Sequence, residues 1–443
     1  MSARVARLGL LVLIVGLALH NVAMALLWQA GVRDTALDVV AAWKELVLGI
    51  AFVAALAGGR AFPTRLWADR LALAFALLVV LYLLLPQSLL GGEATARGEL
   101  YALRHHLLPV AAYGLGRLLV LDRGDWRRLG LAVVAVAAGL AAWGLVDVYA
   151  IPLQTWRGSG VPGWYRDQLG LTYECLSRLP ENWVLNTGDE QNPLRRLVST
   201  FLSPLATGYT LVIALLLLAS VRRRPWTLVV SALVLLGLLW THTRAAIVAL
   251  AFSLVVLGAL RRSWAHVGLG VASVAVSVAF VVAFPTIGPS TTYTAAELTC
   301  LRENAAADPE GTQDPFGTDD SSTASHLRNL RDGIEAVARQ PWGYGLGNAG
   351  VNASRTGVRL QAGESTYTEL GVDTGLLGLA TFVGWLVALG LGLARRSPWL
   401  AASLVAVALI GIQTDVIGIH WLAVTVFALA GAGLRAAPRE DLL

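Results

Sequence analysis

The chain has 443 residues, of which 56% are hydrophobic and only 14% charged, with 34 Lys and Arg against 29 Asp and Glu. So much apolar surface excludes a water-soluble globular fold, and the composition equally excludes disordered, collagen-like and disulfide-scaffold chains. The net charge of +5 is spread over dispersed arginines with no basic patch of interleaved aromatics, so no nucleic-acid partner is expected.

In chain order, apolar stretches of spanning length fall near 8–28, 36–58, 70–90, 99–120, 129–150, 197–220, 226–243, 245–260, 265–285, 368–393, 398–413 and 415–434. The expected fold is all-α: one polytopic integral membrane domain over residues 1–443 with about 12 transmembrane helices. The first stretch follows Arg4 and Arg7 and is too long for a signal-peptide core, which makes it a retained span. With the N-terminus in the cytoplasm, the inside connections collect Arg60, Arg65 and Arg70, then Arg123, Arg127 and Arg128. Arg222, Arg223 and Arg224 follow, with Arg261, Arg262, Arg395, Arg396, Arg435 and Arg439. Short outside connections carry almost no positive charge, so the positive-inside rule sets both termini in the cytoplasm.

Two segments interrupt the apolar rhythm, 151–196 and 286–367, and both fall outside in this topology. The first holds Trp156, Trp164 and Trp183, read as interfacial anchors with a sugar-stacking surface as the alternative. The second opens on an Asp-rich stretch. It then predicts an amphipathic helix with Leu327, Leu330, Ile334 and Val337 at helical spacing, stopped by Pro341, Gly343, Gly345 and Gly347. GYGLGNAG, Gly343–Gly350, follows a helix rather than a strand, which makes it a helix stop and not a nucleotide loop. Cys175 and Cys300 fall one in each loop, where a disulfide is expected and two free thiols are the alternative.

Charges at membrane depth need compensation, because burying one costs about 2.5–3.5 kcal/mol on the most lenient scale. Lys44, the only lysine, with Glu45, Asp147 and Asp415 are read as paired structural charges; Arg104, His105, His106 and Asp373 are also placed within or near spans. His105 and His106 are adjacent on a helix, poor geometry for a shared metal, and no metal ligand set is expected. A different group gathers at the outer mouth: Arg195 and Arg196 before the sixth span, Arg244 in the turn THTR, His326, Arg328 and Arg331 on the outer helix, and Glu364 before the tenth span. Several guanidiniums around one carboxylate make a site for a large anion with a base beside it, and a planar guanidinium suits diphosphate oxygens. Snorkelling to lipid headgroups is the alternative for the arginines.

Residues Arg196–Tyr209, RLVSTFLSPLATGY, and Thr241–Leu250, THTRAAIVAL, resemble the two arginine motifs of the O-antigen ligase and polymerase superfamily. In the ligases, His, then Asn, Ser or Gln, nine residues, Gly, two residues and Gly lead into the tenth span. Glu364–Gly378, ESTYTELGVDTGLLG, keeps Ser365, Gly375 and Gly378 at that spacing but puts Glu364 where ligases have histidine. In this it looks more like family members that are polysaccharide polymerases, which share a pattern similar to HLRNLRDGIEAVARQPWGYGLG.

The resemblance implies a membrane glycosyltransferase acting on polyprenyl-diphosphate-linked glycans outside the bacterial cytoplasmic membrane. The donor would be the lipid-linked glycan and the acceptor a glycan or glycolipid hydroxyl. The expected mechanism is inverting and independent of metals and cofactors. Glu364 would be the base, His326 would orient it or share the proton, and Arg196, Arg244, Arg328 and Arg195 would hold the diphosphate. A ligase with a lipid acceptor and a lipid-glycan flippase are the alternatives. The flippase reading lacks the two pseudo-symmetric halves such folds often show.

Overall fold

The computed structural model describes residues 2–58, 64–185, 192–222, 224–307 and 321–435; Arg60, Arg223, Arg439 and the Asp-rich stretch 308–320 lie outside them. Every apolar stretch predicted above contains a helix. In chain order these are α1 (Ser2–Gln29), α2 (Asp34–Leu56, interrupted at Ala42), α3 (Trp67–Leu84), α4 (Ala96–Leu118) and α5 (Arg123–Ala150). Next come α6 (Pro204–Ser220), α7 (Pro225–Trp240), α8 (Arg244–Arg261) and α9 (Trp264–Ile287). The second insert contributes α10 (Ala295–Ala307) and α11 (Ser321–Arg339), after which α12 (Thr366–Ala394), α13 (Pro398–Ile410) and α14 (His420–Arg435) complete the described chain.

Among the described residues, α1, α2, α3, α5, α8, α9 and α12 are long and apolar enough to cross a membrane, and α6, α7, α13 and α14 are shorter apolar helices. Helix α4 is different: its 23 residues rise about 34 Å, yet it carries Arg97, Glu99, Arg104, His105, His106 and Arg117. Its charges are satisfied by the bundle. Arg117 donates from Nε to Asp69 Oδ1 at 2.7 Å, and Tyr113 donates to the same oxygen at 2.5 Å. His106 Nε2 meets Asp373 Oδ2 at 2.8 Å, and Arg104 meets Glu45, itself 3.5 Å from the buried Lys44. The acids and bases suspected of pairing therefore do pair, and each pair ties α4 or its neighbours together.

The sixth helix begins at Pro204, not at 197. Ser203 caps it by accepting from the Ala206 amide, and Pro204 at the first helical position is pre-set for a start but not for a continuation. The freed stretch leaves Arg196 on extended chain. There Leu194–Arg195 (β2) pairs antiparallel with Val184–Leu185 (β1), a ribbon too short to be legible as strands in the sequence.

The two inserts meet. Cys175 and Cys300 are bonded across 125 residues of sequence, Arg157 pairs with Glu297 at 2.6 Å, and Ser177 donates to Glu297 at 2.5 Å. Trp164 and Trp183 are buried in the first insert, Trp183 donating to the Leu202 carbonyl, and half-buried Trp156 donates to Asp147. Trp164 and Trp183 are thus packing residues of a folded insert and not interfacial anchors.

Helix α11 forms, but its buried stripe differs from the predicted one. Leu327 and Ile334 are exposed, whereas Gly333, Ala336 and Val337 are buried, with Gly333 lying on Thr368 and Val337 on Gly371 of α12. Small residues win that face because they let the two helices approach closely. Just beyond, α12 is kinked at Gly375, whose φ of 66° is open to glycine, and the kink lets the Val372 carbonyl and Leu376 amide bond Tyr344 and Pro341. The glycine turn after α11 is thereby locked to the start of α12.

Alkylation of the unreduced, unfolded protein followed by mass spectrometry should leave both Cys175 and Cys300 unmodified. Two alkylated cysteines would contradict the bridge.

Candidate active site

The helix bundle and the folded inserts line a cavity of about 1280 Å3 whose wall includes Arg196, Arg244, His326, Arg328 and Glu364. Five residues singled out from the sequence are therefore brought to one space. Arg195 is not among the cavity-lining residues. Its guanidinium is buried, donates to the Asp147 carbonyl at 2.9 Å and pairs with the Asp147 carboxylate at 3.2 Å. Neighbours along extended chain point opposite ways, so only one arginine of the pair can face the cavity. Arg195 thus sits in a buried ion pair with Asp147 and not on the cavity wall.

Arg196 is held without any carboxylate. Nε donates to the Thr241 carbonyl at 2.9 Å and Nη2 to the His242 carbonyl at 3.3 Å, which leaves Nη1 without a protein partner among the described residues. Burial first, and then the nearby Arg244 charge, lower its pKa to about 10 against an opposing contribution from Tyr209, so it stays cationic at neutral pH. Arg244 is the first residue of an 18-residue helix whose Thr243 cap offers no side-chain bond to the first turn. The Thr243 hydroxyl donates instead to the Pro204 and Thr241 carbonyls. A cation at a helix N-terminus adds to the positive end of the dipole instead of offsetting it, and an anion relieves both. Between the two arginines, burial and their charges hold the His242 pKa down to about 4, leaving the imidazole neutral. His242 was not singled out in the sequence beyond its place in THTR.

On the wall of the same cavity, His326 Nδ1 meets Glu364 Oε2 at 2.6 Å. The helix α11 carries the imidazole, and the α12 approach carries the carboxylate. Glu364 has φ of 69°, a left-handed conformation costly for a residue with a side chain and sustained by the packing around it. Its pKa is lowered, chiefly by the His326 hydrogen bond, opposed by partial burial and assisted by a hydrogen bond from Asn329. The balance left open by the sequence is thus set by the imidazole and Asn329, not by arginines. Glu369 was missed altogether: it lies inside the ESTYTELG motif, and a single acid one turn into an apolar helix gave no signal of its own.

Residues 229–383 match the family described as O-antigen ligase. That stretch, about a third of the chain, holds Arg244, His326, Arg328, Glu364 and the Gly375 kink, and the match supports a relation to the O-antigen ligase and polymerase superfamily. No curated protein matches the chain.

Arg195→Gln should leave Asp147 buried and unpaired, costing about 3–5 kcal/mol, and should lower the melting temperature in detergent. Arg196→Gln should melt near the wild-type temperature. Equal melting of both variants would return Arg195 to the candidates for ligand binding.

Proposed function

We propose, on the premise of membership in that superfamily, that the chain transfers a polyprenyl-diphosphate-linked glycan to a hydroxyl of an acceptor glycan. The polymerase reading is favoured over ligase because Glu364 replaces the ligase histidine. The observation that carries the proposal is the proximity of Arg196 and Arg244, two cations held together against their mutual repulsion, on the wall of one cavity that also holds a His–Glu pair. That arrangement suits an anionic leaving group at the arginines and a proton acceptor at the His–Glu pair. The distribution of Arg7, Arg123, Arg261 and Arg395 supports cytoplasmic termini and a site on the extracytoplasmic face of the bacterial cytoplasmic membrane.

In the proposed step, the acceptor oxygen attacks the anomeric carbon of the donor sugar and forms the new C–O bond. The old bond to the diphosphate oxygen breaks, and its electron pair leaves with the lipid diphosphate. Arg196 and Arg244, with Arg328, offset the charge that grows there, the role metal ions serve in other transferases, so the step needs no metal at the reacting atoms. One displacement inverts the configuration. The acceptor proton goes to the His–Glu pair. Because Glu364 Oε2 occupies Nδ1, the other imidazole nitrogen, Nε2, is the one left to take a proton, while the carboxylate fixes the tautomer and steadies the imidazolium. This reading is the reverse of the roles expected from the sequence: His326 accepts the proton and Glu364 positions it, supported by the Nδ1–Oε2 contact.

Two outcomes follow from this assignment. Glu364→Gln should lose about 10²–10⁴ in rate while still binding the donor, and His326→Gln should lose at least as much. A His326→Gln variant that keeps most of its rate while Glu364→Gln does not would make Glu364 itself the base. Arg244→Lys keeps the charge but loses the two-pronged contact, and should lower turnover by about 10²-fold with unchanged folding. Undiminished turnover would place Arg244 at lipid headgroups.

A further inference from the structure

The same cavity is walled at another place by His105 of α4, Glu369 of α12 and Asp415 from the connection between α13 and α14. Their ligating atoms all lie within 4.8 Å of one another, and His105 Nε2 is 3.3 Å from Asp415 Oδ2. Around an ion with ligands at about 2.1 Å, neighbouring ligand atoms sit about 3.0–3.4 Å apart, so one edge is already at coordination spacing and the others need a small inward movement.

Glu369 gives the second observation. It is 5% exposed, and among the described residues no cation pairs with it and no side chain donates to it; the main chain of Glu364 is its only polar neighbour of that kind. Every other buried acid of this region has a base: Asp373 has His106, Glu45 has Arg104 and Lys44, and Asp415 has His105. Asp415 is also oriented, because the Gly418 amide binds its Oδ1 and leaves Oδ2 toward His105. Space around the carboxylates is kept by two glycines. A Cβ at Gly350 would lie 2.2 Å from Glu369 Oε2, and one at Gly418 would lie 2.1 Å from Asp415 Oδ2.

We propose that His105, Glu369 and Asp415 bind one first-row divalent cation. With their protons released on binding, one imidazole and two carboxylates present a charge of −2, which a divalent ion neutralises. The mixed nitrogen and oxygen donors suit Zn²⁺ or Mn²⁺ better than the all-oxygen preference of Ca²⁺. Water from the cavity completes the coordination. The ion ties α4, α12 and the connection 411–419 together along the cavity wall, and the transfer step above is not routed through it. The proposal stands on ion uptake alone and is independent of the transferase reading.

The test uses the full chain in lipid nanodiscs, treated with chelator and dialysed. Mn²⁺ is titrated in and free ion is followed by electron paramagnetic resonance, with Zn²⁺ as competitor. The wild type should take up one ion per chain and gain melting temperature with it. Glu369→Gln and His105→Gln, each eluting as the wild type does in size-exclusion chromatography, should bind at least about tenfold more weakly and lose the thermal gain. Wild-type uptake by either well-folded variant, or no saturable uptake of Mn²⁺ or Zn²⁺ by the wild type, would overturn the site. Should both variants elute differently, Gly418→Ala provides the same comparison by crowding Asp415.

Discussion

A charge carried into an apolar interior must be met by an opposite charge or by several hydrogen bonds, and this requirement organises the molecule. It explains how α4, too polar to be an ordinary spanning helix, lies inside the bundle: Arg117 and Tyr113 converge on Asp69, and His106 meets Asp373. The same rule sorts the arginines at the loop-rich end. Arg195 has an acid, whereas Arg196, its chain neighbour, is steered by neutral acceptors of the THTR turn, two carbonyls and the Thr243 hydroxyl. A guanidinium fixed by neutral acceptors keeps its charge for a ligand, and the proposed anion site rests on that distinction more than on the number of arginines.

The pocket is assembled from segments far apart in sequence, and the chain uses strained backbone to aim them. Glu364 and His242, both on the cavity wall, hold positive φ, at 69° and 50°. Such conformations persist where surrounding contacts over-determine them. For Glu364 those contacts are the bonds from Ser365 and Thr366 to the 411–414 stretch and the packing of α11 on α12. For His242 they are the Trp240 carbonyl bonded to Leu197 and the Thr243 hydroxyl bonded to Pro204. The Cys175–Cys300 bridge and the Arg157–Glu297 pair then bind the two inserts over the same end of the bundle.

Much of this was legible in the sequence because apolar runs and glycine or proline stops report directly on helices. The twelve helical stretches, the α11 helix, its glycine stop and the gathering of Arg196, Arg244, His326, Arg328 and Glu364 follow from residue type and spacing. Other features depend on pairing between distant segments. Nothing local tells Arg195 from Arg196; the alternation of a two-residue strand does, once β1 is known to pair with β2. The buried stripe of α11 runs through Gly333 and Val337 because α12 offers Gly371 and Thr368, which no reading of α11 alone contains. Glu369 and Asp415 lie 46 residues apart in sequence, and each looks like a solitary acid until His105 is brought between them. The meeting of His326 Nδ1 with Glu364 Oε2 is likewise a tertiary property.

The central claim is glycosyl transfer from a lipid diphosphate. It is tested most directly by supplying the purified chain in liposomes with one polyprenyl-diphosphate-linked glycan repeat and resolving the products by size. The account predicts a ladder of lengthening glycans with release of one lipid diphosphate per bond formed. Movement of the intact lipid-linked glycan between leaflets, with no new glycosidic bond and no released diphosphate, would contradict it.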